Sequence, residues 1–150
     1  MGVLADALWV VCATFEGAPL VYSGQEEPLR RRLEFFEKDD IGFSAFAKTG
    51  FFETFLKLKK RNRALHNGLA GGRATRVELD DASGSILAYE RVKGSDRVVV
   101  FVNLSATAAA EYTLPETFDV RRLRDVESGS ALGPGAVTLA PGAYLVYATD

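Results

Sequence analysis

The chain has 150 residues, 47% of them hydrophobic and 25% charged, and a formal net charge of −2. This is the composition of an ordinary globular protein of one domain or two small ones, and the balanced charge, with no long basic block, excludes the electrostatic footprint of a nucleic-acid binder. Cys12 and His66 are the only cysteine and histidine, which excludes an intramolecular disulfide, a cysteine metal cluster and a multi-histidine metal site, and leaves His66 as the one base open to a Ser-His-Asp triad. No metal or cofactor is expected. Val3–Phe15 is largely apolar, but Asp6 interrupts it. It falls short of the roughly 20 residues of a spanning helix and has no basic lead-in, so neither a membrane anchor nor a signal peptide is expected. The single cysteine leans towards a reducing, cytoplasmic compartment. Met1 running straight into a core-like helix reads as a cut through a larger fold.

Gly2–Thr14 predicts a helix, with Leu4, Leu8, Val11 and Cys12 on one face and apolar residues nearly all round, the mark of burial between layers. Gly17 breaks it. Ala18–Tyr22 is too short for a helix and is bounded by turn signals, which predicts a strand buried on both faces, as in a parallel sheet. It opens into the polar loop Ser23–Pro28, and in parallel α/β folds chemistry sits beyond the carboxyl ends of strands. Residues 29–43 mix charged and aromatic side chains without a period and predict a long structured loop, followed by a short turn over 45–50. Phe51–Leu65 is amphipathic and predicts a second helix, with Thr49 as N-cap, a basic last turn and Asn67-Gly68 as C-cap. Leu69–Arg73 predicts a glycine-rich hinge. The period then changes to two. Strands are expected over 74–80, 86–92, 97–103, 109–114, 120–126, 136–139 and 143–148, an antiparallel β-sandwich with the boundary near Gly71-Gly72.

Five stretches together resemble the α-amylase family, glycoside hydrolase family 13. Gly17–Glu26 is similar to its last barrel strand and the loop after it, and Arg32–Asp39 to the next loop in one bacterial branch. Leu56–Leu65 resembles the last barrel helix, Val99–Ser105 the central strand of the C-terminal sandwich, and Leu139–Tyr147 the closing strand. The resemblance implies an α/β plus all-β chain: a partial (β/α)₈ barrel segment over 1–72 followed by an antiparallel β-sandwich over 73–150. It implies action on α-linked glucans by a retaining mechanism, whose aspartate nucleophile, glutamate acid/base and further aspartate are not found in this chain. The expectation is a C-terminal fragment that is inactive alone, with a carbohydrate-binding or interaction module as the alternative. Another chain, or a second copy, is expected to cover the exposed barrel segment. Phe43 stands where this branch leads one to expect Trp.

Glu26 and Glu27 suggest an acid/base pair. Adjacent loop residues seldom converge on one bond, however, and the favoured reading is that they bond loop backbone and basic neighbours. Tyr22, Gln25 and Glu26 are the candidate substrate-binding residues, with packing as the competing role. Arg30–Arg32 offers a phosphate site or, more in keeping with the acidic residues around it, surface ion pairs. His66 is read as a helix-end residue and Cys12 as a small buried hydrophobe. Trp9 is read as core. Phe35, Phe36 and Phe43 are the better stacking candidates, although plugs beneath the loop are expected. Tyr89, Phe101, Tyr112, Phe118, Tyr144 and Tyr147 lie within or beside strands and read as core, against sugar binding by the sandwich.

Overall fold

A computed structural model of the chain describes residues 2–27, 29 and 31–149. The core is built on β3 (Asp96–Asn103), the middle strand of a five-stranded antiparallel sheet. Its partners are β1 (Ala74–Arg76), β2 (Ile86–Lys93), β5 (Leu123–Asp125) and β7 (Tyr144–Thr149), in the order β1-β2-β3-β7-β5. A second sheet pairs β4 (Ala110–Thr113) with β6 (Ala136–Leu139). All the pairings are antiparallel. Each of the seven expected strands is found; β1, β4 and β5 are shorter than expected, and the others agree to within one residue at each end.

The unbroken apolar run Val98–Val102 follows from having a layer on each face. Val98, Val100 and Val102 pack with Tyr89, Val146 and Ala148 against the helices. Val99 and Phe101 point the other way and meet Tyr112, Leu139 and Tyr147 under the small sheet. The period of two along one strand thus feeds two cores. Phe101 and Tyr112 stack at 4.8 Å between ring centroids. The strand aromatics are core or half-buried, as expected.

The helical layer is α1 (Ala5–Thr14), entered through a 3₁₀ turn at Gly2–Leu4, and α2 (Thr49–Arg61). Trp9 joins them, its ring 4.7 Å from Phe52 and 5.4 Å from Phe51. It is core, as expected. On α1 the buried face is Ala7, Val10, Ala13 and Thr14, where the sequence pointed to Leu4, Leu8, Val11 and Cys12. Small side chains let the helix lie close on the sheet. Leu4, Leu8 and Val11 are only partly buried, and Cys12 is exposed rather than buried.

Further expectations are corrected. Ala18–Tyr22 forms no strand: residues 18–21 make no backbone hydrogen bond among the described residues. A parallel strand buried on both faces needs a neighbour on each side to pair its N–H and C=O groups, and every described strand is already committed to one of the two antiparallel sheets. No strand of the expected barrel segment is formed among the described residues, while the antiparallel sheets of the sandwich are. The second helix stops at Arg61, not Leu65. Asn62 leaves helical geometry and accepts from the Ala64 N–H at 3.1 Å, opening a separate 3₁₀ turn over Arg63–Leu65, so Asn67-Gly68 is not the C-cap of α2 and instead opens a further 3₁₀ turn over Gly68–Ala70. Thr49 is the first helical residue, not the N-cap. Gly71-Gly72 is no loose hinge. A Cβ on Gly71 would sit 1.8 Å from the His66 carbonyl oxygen, and one on Gly72 would sit 2.3 Å from that of Val92.

Arg91 of β2 ties the helical layer to the sheet. Its guanidinium is 1% exposed and bonds only carbonyl oxygens. Nε donates to Gly72 at 2.8 Å, Nη1 to Thr14, Phe15 and Leu65 at 3.2, 2.8 and 3.4 Å, and Nη2 to His66 at 2.7 Å. The end of α1, the 3₁₀ turn and the Gly71-Gly72 crossing thus converge on one side chain. Thr14 Oγ1 and the Tyr89 hydroxyl meet at 2.7 Å beside it, and burial pushes the Tyr89 hydroxyl up to about 12.

Candidate functional site

The segment that carries the candidate residues, 18–48, borders the helical layer at Ala18–Leu20, Gln25, Leu29 and Lys48, and its described residues form no helix or strand before α2. Gly24 allows its first turn. The residue has φ +92°, and a Cβ there would meet Ile41 and Leu29 at 3.3 Å. Of the three residues expected at a substrate, two turn their side chains back onto the loop. Gln25 Oε1 accepts the Tyr22 N–H at 2.8 Å, and Glu26 Oε2 accepts the Gly24 N–H at 3.1 Å. Tyr22 is 61% exposed and reaches outward. Glu26 also fastens the loop to α2 through its carbonyl, which accepts the Lys48 N–H at 2.9 Å.

Glu27 has a similar role. Its Oε1 accepts the N–H groups of Ser44 and Phe46 at 2.8 and 2.6 Å, and Oε2 accepts the Ser44 hydroxyl at 3.4 Å. The Phe46 and Ser44 N–H bonds hold its carboxyl below the usual range. Asp39 takes the Arg31 guanidinium, with Nη2 to Oδ1 at 2.6 Å, and the Glu34 N–H at 3.0 Å. Those bonds lower its carboxyl to about 2. The arginine run is thus an ion-pair feature at Arg31, made with Asp39. Pro28 and Arg30 lie outside the described residues. In this geometry Glu26 and Glu27 both accept loop backbone N–H groups.

The plug reading of the loop phenylalanines is overturned. Phe35 and Phe36 meet edge to face at 4.8 Å while 83% and 91% exposed. Phe43 and Phe46 stack within 8° of parallel and are about half exposed. His66 behaves as a helix-end residue: its Nε2 donates to the Lys60 carbonyl at 3.3 Å, in the last turn of α2.

Under the loop lies an open apolar groove of about 1080 Å³. Its walls include Leu8, Trp9 and Cys12 of α1, Leu20, and Phe51 and Phe52 of α2. The Asp6–Lys48 ion pair sits at its side. Sequence reasoning missed this groove because it took the outward apolar face of α1 to be covered. It also missed the buried Arg91, which looks in sequence like any strand-surface cation. The alternation of β2 placed it on the helix side with Tyr89 nearby, and that was the one available signal.

No family model matches the chain and no curated protein matches it. Solved structures do. γ-CGTase from alkalophilic Bacillus clarkii superposes with a TM-score of 0.68 at 19% identity, over 95% of this chain and 22% of its own. An Anoxybacillus α-amylase matches with a TM-score of 0.67 at 16% identity, over 97% of this chain and 31% of its own. The noncanonic maltogenic α-amylase AmyB of Thermotoga neapolitana matches with a TM-score of 0.64 at 15% identity, over 99% and 37%. The chain thus spans between a fifth and two fifths of the length of the structures it matches. Its fold is similar to that of these CGTase and α-amylase structures.

Proposed function

We propose that the chain is the C-terminal part of an α-amylase-family glycoside hydrolase acting on α-linked glucans, and that it does not turn over substrate by itself. A retaining glycosidase sets two carboxyl groups about 5–5.5 Å apart, one of them kept protonated by a raised pKa. The observation that carries the reading is how the loop carboxylates are used. Glu27 and Asp39 are both held below their ordinary range by backbone N–H groups or arginine, which suits anchoring and opposes service as an acid. Glu26 is bonded to the Gly24 N–H. Nucleophile and acid are then supplied by further barrel strands.

The test is release of reducing sugar from soluble starch and maltoheptaose by the purified chain. The expected result is no turnover above buffer. Turnover abolished by Glu26→Gln or Glu27→Gln overturns the proposal.

The exposed rings of Phe35, Phe36, Phe43 and Phe46 favour a second reading, in which the loop rather than the sandwich holds an α-glucan by stacking. Retention on insoluble starch, lost in the double variant Phe35→Ala/Phe36→Ala, supports that reading. Passage without retardation rejects it.

A further inference from the structure

The chain has three asparagines, and the fold treats them differently. Asn103 is fully buried, and its Nδ2 donates to the carbonyls of Ala108, Leu139 and Ala140 at 2.9, 3.0 and 3.1 Å. Asn62 is 4% exposed, with Oδ1 on the Ala64 N–H and Nδ2 on the Thr149 carbonyl. Asn67, followed by Gly68, is exposed, and its side chain makes no hydrogen bond among the described residues. Neither does the Gly68 N–H. Gly68 has φ +56° and open space where a Cβ would sit. No residue of the 3₁₀ turn Gly68–Ala70 is buried. The flanks, by contrast, are fixed. The His66 carbonyl takes Arg91 Nη2 at 2.7 Å, and the Leu69 carbonyl takes Lys93 Nζ at 2.8 Å. An uncommitted amide thus sits beside an unscreened backbone nitrogen, between two anchored carbonyls.

We propose that Asn67-Gly68 is a self-modification site, which in the folded protein loses ammonia to leave isoaspartate or aspartate at position 67. The Gly68 amide nitrogen gives its proton to hydroxide and attacks Asn67 Cγ, an intramolecular step that needs no catalyst beyond proximity. The N–Cγ bond forms, the Cγ–Nδ2 bond breaks, and Nδ2 leaves as ammonia with a proton from water. The product is a cyclic imide, which water then opens. Cleavage at Cγ gives aspartate; cleavage at the main-chain carbonyl gives isoaspartate, whose chain runs through the former side chain. Nothing is oxidised or reduced. Ring closure requires the 67–68 peptide plane to turn from the observed Asn67 ψ of 153°. Such a turn changes ψ of Asn67 and φ of Gly68 in opposite senses and leaves the anchored flanks in place. Glycine absorbs the change on either side of zero. The cost is loosening of one exposed 3₁₀ turn, an element held weakly to begin with. Isoaspartate adds one main-chain carbon between His66 and Gly68. The connection has no slack, since a Cβ on Gly71 would sit 1.8 Å from the His66 carbonyl oxygen and the Gly72 N–H bonds the Ala64 carbonyl at 2.9 Å. The longer chain displaces the His66 carbonyl from Arg91, so the modification loosens the tie between the helical layer and the sheet.

Incubation of the full chain at mildly alkaline pH, followed by ammonia release and by mass spectrometry of the tryptic peptide 64–73, tests this. The expected result is at most one ammonia per chain, all of it from position 67, with both isomers present. Guanidinium chloride should change the rate at position 67 by less than about ten-fold, because the fold does not guard the pair. Asn67→Ser should release no ammonia. Gly68→Ala should slow conversion at least about ten-fold, in the folded chain and also in guanidinium chloride, where backbone strain at φ +56° plays no part. The isoaspartyl chain should unfold at lower urea than the unconverted chain, read by Trp9 fluorescence. A folded chain that keeps Asn67 while the denatured chain converts overturns the proposal. So does ammonia released in the folded chain from Asn62 or Asn103 as fast as from position 67. Equal urea midpoints for the isoaspartyl and unconverted chains overturn the loosening of the Arg91 tie.

Discussion

Replacing Arg91 by Met keeps the aliphatic stem and removes every donor that joins the helical layer to the sheet. Five bonds to carbonyl oxygens are lost. They are not equivalent. Phe15 is exposed and His66 is half-buried, so water can replace the guanidinium there, and the Leu65 carbonyl keeps the Lys59 ammonium at 2.9 Å. The carbonyls of Thr14 and Gly72 belong to buried residues and lose their side-chain donor. An unsatisfied buried group costs about 1–3 kcal/mol, which gives about 2–6 kcal/mol for the pair. Relief from burying a charge offsets part of this; that burial already lowers the arginine pKa, against the pull of Glu16. A net loss of about 3 kcal/mol is expected, a large fraction of the roughly 5–15 kcal/mol of a typical domain. Urea unfolding followed by Trp9 fluorescence measures it, with Arg97→Met as the control. Arg97 is a partly exposed cation paired with Glu90, and breaking that pair should cost only about 1 kcal/mol. Arg91→Lys should recover little, because one ammonium cannot span carbonyls that approach a planar fork from three segments. Native-state hydrogen exchange should show protection lost at the end of α1 and over residues 62–72, with the β4–β6 sheet unaffected. If Arg91→Met falls within about 1 kcal/mol of the parent, the arginine is not the tie described here and the apolar contacts of α1 and α2 suffice without it.

Gly71→Ala and Gly72→Ala each drive a methyl group into backbone, and both should cost at or above the upper end of the usual 1–3 kcal/mol range for overpacking. Gly133→Ala, whose added methyl meets nothing within 4 Å, should stay within about 0.5 kcal/mol by the same urea assay. Burial, together with Asp125 and Asp6, raises the Glu127 carboxyl above its ordinary value of 4.5, although the Tyr144 hydroxyl donates to it at 3.3 Å. A raised acid favours the fold while protonated, so its stabilising effect is complete below about 4.5 and is lost as pH rises through the elevated folded-state value. Glu127→Gln should therefore melt higher than the parent at pH 7, and the gap should close by pH 4; a gap that widens on acidification refutes the sign.

The sandwich was legible because its signals are local and redundant. Alternation marks each strand, and positive-φ glycines mark turns between strands, as at Gly84, Gly94, Gly129 and Gly142. The doubly buried β3 was visible as a continuous apolar run. The helices were legible in position but not in facing. On α1 apolar residues run nearly all round, so periodicity could not say which side meets the sheet: Ala7, Trp9, Val10 and Ala13 are buried, while Leu8 and Cys12 border the open groove. The end of α2 was misjudged for a different reason. Arg63–Leu65 continues the amphipathic pattern, and only the geometry of Asn62, set by its bond to the Ala64 N–H, breaks the helix.

Ala18–Tyr22 shows where reading from local sequence stops. Its composition is that of a central strand, yet a strand is a relation between segments. Without neighbours its N–H and C=O groups gain nothing from the extended form that water does not also supply. The same holds for the residues beyond it. Gln25 and Glu26 sit where a parallel fold would place a site, and their side chains turn back onto the Tyr22 and Gly24 N–H groups. A neighbouring strand on the 18/20/22 edge would claim the Tyr22 N–H and free the Gln25 amide. Whether Gln25 closes a turn or faces a ligand is then decided by what pairs with Tyr22. Hydrogen exchange at the Tyr22 amide, read in the monomer and in any assembly that covers the groove, therefore reports directly on which role Gln25 is playing.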